Sequence, residues 1–292
     1  MINIDFKDIE IMPLGTSSSL DGSNLKIKPK GIRFEGLTDE EIDISLLDTS
    51  NMDSMQSFFA NCTNLKCADF TSIDTSHITS MNSILSACTS LEEIKTPPNF
   101  AMNVKNMQRM FYNCKSLENL DMSNWNVQNV TDMGNKSSGT GTFYGIKAKS
   151  LDLSSWNTTN LTSIGGSCFG GAGSYSPGNI EYLKLGNFDT SKLTTVGSAF
   201  YYANNLTVLI WNNFGNGSGY TSFSFEQSSI LGVDSEKYPN ARQALTDTFV
   251  TNSFDRATAN YPTCTITFHT KTKNLFSDDE IAQITAKGYT IA

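Results

Sequence analysis

One unit of about 26 residues is written six to seven times between Ile42 and Trp211, and no other feature limits the possible folds so tightly. A single position traces it: Asp43, Asp69, Lys95, Asp121, Asp152, Lys184 and Ile210, at steps of 26, 26, 26, 31, 32 and 26 residues. A second thread keeps step through Met55, Met81, Met107, Met133, Ile164 and Val196. A third runs through Phe59, Leu85, Phe111, Phe143, Phe169 and Phe200. Each member of the third is followed three residues on by a small or apolar residue: Cys62, Cys88, Cys114, Ile146, Ala172 and Ala203. A unit this short cannot enclose a core alone, so its copies must stack and bury their apolar faces on one another.

Within a unit the pattern changes character. Leu120-Asp121-Met122-Ser123 and Leu151-Asp152-Leu153-Ser154 alternate apolar and polar residues, the period of a short strand with one buried face. A bulky corner residue follows: Leu47, Ile73, Phe100, Trp125, Trp156, Phe188 and Phe214. Next comes a polar turn such as Asp74-Thr75-Ser76-His77, whose side chains can bond their own backbone or cap a helix. The tail of the unit, Met81 to Cys88, is apolar at helical spacing and predicts a short helix. The expected fold is therefore an α/β leucine-rich-repeat solenoid. It is right-handed, with a parallel sheet of six to eight short strands on one face, short helices and loops on the other, and a cap at each end. The two long steps add Gly/Ser-rich stretches at 134–141 and 170–178, which read as adjacent surface loops.

The stretch Leu120 to Met133, together with Met110-Phe111-Tyr112-Asn113-Cys114-Lys115-Ser116-Leu117, resembles the repeat of the BspA-like leucine-rich-repeat proteins of bacterial surfaces. The resemblance covers about residues 36–215. The tail, Leu275 to Ala292, looks like the endings of such proteins in gut Bacteroidetes and their phages. The resemblance implies adhesion or protein binding and brings no catalytic residues with it.

Charge restricts the partners. With 21 basic against 29 acidic residues the chain carries a net −8, and its pI is near 4.8, which opposes a polyanionic partner such as nucleic acid. No apolar run approaches the ~18 residues of a membrane span, so membrane insertion is not expected. The start, Met1 to Ile11, alternates like a strand, carries acids and lacks the basic and apolar regions of a secretory signal. That leaves two readings: a phage virion protein (fibre, tail or capsid decoration) touching host-surface protein or glycan, or a secreted cell-surface adhesin whose signal has been removed. The first is the main expectation, with the virion as location and the extracellular bacterial surface as the alternative.

Three segments follow. Residues 1–35 are an attachment or capping segment in which Ile2, Ile4, Phe6, Ile9 and Ile11 can add a strand to a carrier's sheet edge or fold back on the first coil. Residues 36–232 are the repeats, opened by a capping-box pattern of Thr38 and Glu41. Residues 233–292 are a C-terminal cap with a strand near 263–269 and a helix started by a Ser277/Glu280 capping box and ended at Gly288.

No chemistry stands out. The six cysteines show no C-x₂-C pair, and three fall one per coil on one side, which reads as core thiols, with Cys62 and Cys67 the one pair that could bridge. Neither a metal nor a cofactor is expected, and the chain is not expected to be an enzyme. The strand row Asp, Asp, Lys, Asp, Asp, Lys predicts a charge ladder, each Lys bonding a neighbouring Asp. The candidate ligand-binding face is that row with its neighbours: Glu93, Lys95, Asn119, Asp121, Ser123, Ser150, Asp152, Ser154, Tyr182 and Lys184. Tyr182 is the expected aromatic anchor.

Overall fold

The computed structural model of the chain describes residues 9–13, 25–29, 33–134, 141–171, 178–196, 198–225, 228 and 235–292. The Gly/Ser-rich insertions therefore lie largely outside the described residues, as do Ile2, Ile4 and Phe6. Near the N-terminus β1 (Ile9–Pro13) and β2 (Leu25–Pro29) pair antiparallel, Ile9 opposite Pro29 and Ile11 opposite Ile27. β2 lies beside a 3₁₀ turn at Thr49–Asn51 in the first coil.

The repeats then stack through small parallel sheets. β3 (Cys67–Asp69) pairs with β4 (Glu93–Lys95). Further along, β5 (Ser150–Asp152), β6 (Tyr182–Gly186) and β7 (Val208–Trp211) form a second sheet in that order. Each register joins equivalent positions of adjacent units, Asp69 to Lys95, Asp152 to Lys184 and Lys184 to Ile210. A second ladder links Ser54, Ser80, Asn106, Asp132, Ser163 and Thr195 by single parallel bridges.

The third side overturns the expected helices. Among the described residues the repeat units contain no α-helix; the Met81–Cys88 segment is a pair of tight turns. Ser83 and Ala87 sit at φ +57° and +60°, and Ser57/Asn61 and Arg109/Asn113 repeat that pair in the flanking coils. A right-handed helix does not admit such residues. Alternate amides divide the work. Ile84, Ser86 and Cys88 donate three residues back to Met81, Ser83 and Leu85. Between them Ser83, Leu85 and Ala87 donate across to Gln108, Met110 and Tyr112 of the next coil. A helix would satisfy those amides internally and leave none for its neighbour. The turns spend half of them on stacking.

The expected sheet is also interrupted. Residues near Asp43 and Asp121 form no strand, so the six to eight strands in one sheet become two separate groups. Two of the three missing pairings, Asp43 with Asp69 and Asp121 with Asp152, would set like charges opposite each other, which disfavours pairing. The third, Lys95 with Asp121, is followed by Pro97-Pro98, whose rings remove two ladder donors and restrict the residue before them. No helix starts at Thr38 either. The Glu40 carbonyl instead accepts Lys66 N–H from the next coil.

The core positions read from the repeat are buried. Phe111, Phe143, Phe169, Phe200 and Phe225 form a column with successive ring centroids 5.8, 5.9, 5.3 and 4.7 Å apart. All six cysteines are free, and five are buried. The thiols of Cys62, Cys88 and Cys114 donate to the carbonyls of Phe34, Phe59 and Leu85 in the preceding coil, at 2.9, 3.0 and 3.2 Å. Burial pushes the Cys114 thiol up to about 12.

The C-terminal segment continues the stack. β8 (Ser222–Phe225), β9 (Cys264–Phe268) and β10 (Tyr289–Ile291) make a parallel sheet in the order β10-β9-β8. Around it lie α1 (Ala241–Thr246), a π-helical turn at Asp247–Thr251, α2 (Thr270–Lys273) and α3 (Asp278–Ala286). The Ser277/Glu280 capping box is formed, and Gly288 takes φ +87° after the helix. Arg256 is fully buried and donates to the carbonyls of Gly215, Gly217, Tyr220 and Pro262. Lys287 Nζ donates to the carbonyls of Val250, Thr251 and Ser253, closing the end of the π-helical turn.

Candidate functional site

Six of the ten expected contact residues come together. Asn119, Asp121, Ser123, Ser150, Asp152 and Ser154 line one open depression of about 500 Å³ where the strand near Asp121 fails to form. A second depression of about 370 Å³ lies where the strand near Asp43 is missing, between Glu41–Ser45 and Cys67–Ser72, with Lys95 at its edge. Glu93 and Lys95 are exposed on β4, and Lys184 is half-buried on β6.

The acidic row has a local task that its spacing did not announce. Asp43, Asp69, Asp121 and Asp152 each accept the N–H two residues on, from Ser45, Thr71, Ser123 and Ser154, at 2.9 Å. Each carboxylate thus closes a turn at the end of its strand position. The signal was present as a recurrent Asp-x-Ser/Thr. Backbone donation from Ser123 holds Asp121 below the usual carboxylate range; for Asp69 the Thr71 hydroxyl leads. Burial opposes the same effect at Asp152, but bonds from Ser154 and Lys184 prevail.

The charge ladder forms at one rung. Lys184 Nζ lies 2.9 Å from Asp152 Oδ2 across β5–β6. Lys95 instead lies 3.6 Å from Glu93 of its own strand.

Tyr182 is not the open anchor that its place on β6 predicted. Its ring lies 6.2 Å from that of Tyr238 at 21°, and with Ile210 and Tyr238 it packs on a small cluster of Val208, Ala241 and Ala244. The segment entering α1 therefore overhangs the β6–β7 end of the face and leaves a cleft of about 410 Å³ beneath it. Glu181 clamps this overhang, accepting from Lys237, from Lys149 at 2.9 Å and from the Tyr238 hydroxyl at 3.0 Å. Those bonds, led by that from Lys237, hold its carboxyl down to about 2. Sequence reading missed this overhang, since nothing within a repeat marks contact with residues more than fifty positions away.

Of the expected attachment residues, Ile9 and Ile11 are engaged within the β1–β2 hairpin. The two histidines serve separate local turns: His77 faces Asp74 at 3.9 Å, and His269 accepts from Lys271 N–H at the start of α2. Among the described residues no group of three or more His, Cys, Asp or Glu side chains is placed to hold a metal ion. No helix among them is long and apolar enough to cross a membrane.

No curated protein and no solved structure matches the chain. A family model matches twice, over residues 32–145 and 138–229, and the two matches together take in the repeat region and about two thirds of the chain. This agrees in outline with the resemblance of the repeats to BspA-like surface proteins and does not extend to the C-terminal ending. By that match the chain belongs to the family described as Mycoplasma protein of unknown function, DUF285.

Proposed function

We propose that the chain is a non-enzymatic binding module of the bacterial cell surface, a right-handed solenoid of repeat coils that holds protein or glycan against the exposed strand face. The observation that carries this reading is the depression between Asn119–Ser123 and Ser150–Ser154. There six polar side chains from two coils, in three equivalent pairs, converge on one open surface. Stacked repeats commonly bind through such an extended face. Membership of a family described from Mycoplasma favours a bacterial protein over a virion component.

The test has two parts. Protease shaving of intact cells of the source organism should release fragments of the chain. Immobilised host-surface proteins and glycans should then bind the full chain and lose a Lys95→Glu/Asp152→Lys/Lys184→Glu variant that melts normally. Retention of every bound partner by that variant, with loss on substituting Tyr112 or Tyr201 of the turn side, would reverse the assignment of the face.

A further inference from the structure

We propose that the cleft between the β6–β7 end of the sheet and the overhanging C-terminal segment is a saccharide site, taking a neutral mono- or disaccharide unit of a larger glycan. The inference rests on the binding-module reading and supplies its ligand class. The cleft's volume of about 410 Å³ falls in the range of small-molecule sites. Its floor is apolar and aromatic, formed by Val208 and Ile210 of β7 with the rings of Tyr182 and Tyr238. The C–H face of a pyranose packs on such a surface, while its hydroxyls need partners around the edge.

The edge supplies them. Asn212, Asn240, Gln243 and Asn252 line the cleft, and an amide offers donors and an acceptor together, as a sugar hydroxyl does; Gln243 and Asn212 each already spend one donor, on Asp247 and Asn187, and keep the second donor and the carbonyl. Asn240 is informative: it holds the N-cap position of α1, yet its side chain makes no capping bond. An Asn at that place normally caps. Here its amide is left for another partner.

Charge and backbone argue against other occupants. The ammonium of Lys237 is paired with Glu181 and lies 5.0 Å from the Tyr238 ring centroid, so among the described residues lining the cleft no free cation awaits an anionic group. Asp247 is engaged by the Gln243 amide at 2.8 Å. A peptide would bind by extending the sheet beside β7, but that edge is occupied. The Thr248 hydroxyl donates to Leu209 O at 2.8 Å and accepts Trp211 N–H at 3.2 Å. The acidic depression at Asp121 and Asp152 has no aromatic lining, whereas in this cleft ring and amide side chains coincide.

The experiment uses the full chain on an array of neutral mono- to tetrasaccharides. Saturation-transfer NMR follows with glucose, galactose, mannose, N-acetylglucosamine and their β-linked disaccharides. Asn240→Ala and Gln243→Ala, both at exposed positions, should keep the wild-type melt and weaken saccharide binding about tenfold each, the worth of one hydrogen bond. Tyr182→Ala should abolish it and Tyr182→Phe should retain it. Saccharide binding indifferent to all four variants overturns the proposal, as does a peptide found in the cleft. If no saccharide binds at millimolar concentration while host-surface protein still does, the saccharide site falls and the binding-module reading stands. If the chain binds neither, both fall.

Discussion

Replacing Ala87 by glycine separates the stacked-turn architecture from the helix that the repeat spacing suggested. Ala87 sits at φ +60° with its N–H donating to Tyr112 O of the next coil at 2.6 Å. An L-residue in that region costs about 1–2 kcal/mol, which glycine escapes. Glycine in turn gives up about 0.5–1 kcal/mol of chain entropy on folding. The half-buried methyl contributes little, and the inter-coil bond uses only backbone. Ala87→Gly should therefore be neutral or stabilise by up to about 1.5 kcal/mol. In a helix the same change destabilises by about 1 kcal/mol. Ala60 is the control: it is 4% exposed and is not among the left-handed residues, so Ala60→Gly should cost about 1–2 kcal/mol. Urea unfolding at unchanged slope measures both. A loss near 1 kcal/mol at Ala87, equal to that at Ala60, refutes the turn geometry.

Phe111→Ala should destabilise by about 3–5 kcal/mol, since it empties a slot between Phe143 and Trp125, whereas Asp121→Asn, which can still accept Ser123 N–H, should stay within about 1 kcal/mol; thermal melts rank the two. Arg256→Met should cost at least about 3 kcal/mol in the same assay, because it strands the three buried carbonyls of Gly215, Gly217 and Tyr220 that the guanidinium now satisfies. A disulfide-exchange reagent should find only Cys67 in the native chain, slowly because burial raises its thiol, and all six thiols after denaturation; rapid reaction of three or more native thiols contradicts the core placement. Glu181 gives a pH test with a defined sign. Its carboxyl is held near 2, below the usual value of about 4.3, so its contribution is complete above about pH 4.3 and is lost as pH falls through about 2. Hydrogen exchange at residues 235–241 should accelerate over that window in the wild type, and Glu181→Gln should flatten the response by removing the titrating group.

The repeat itself determined the period, the burial of Phe111, Phe143 and Phe169, and the strand centres at Asp69, Lys95, Asp152, Lys184 and Ile210, and the Ser277/Glu280 pair beyond it determined the capped C-terminal helix. Each of these follows from the chemistry of residues close in the chain: which side chains must leave water, and which can satisfy a neighbouring amide. The turns at Ser83 and Ala87 were not legible, because apolar residues spaced three and four apart suit a helix and a pair of tight turns equally. Only the amides' choice between their own coil and the next one decides. The missing strands near Asp43 and Asp121 depend likewise on what lies opposite, a like charge in two of the three failed pairings. The partial covering of Tyr182 was furthest from view. Glu181 meets Lys237 across 56 positions. A periodic sequence specifies which face is buried within each coil, but which part of the exposed face stays open is set by a segment outside the period, held there by contacts that form only once the stack exists.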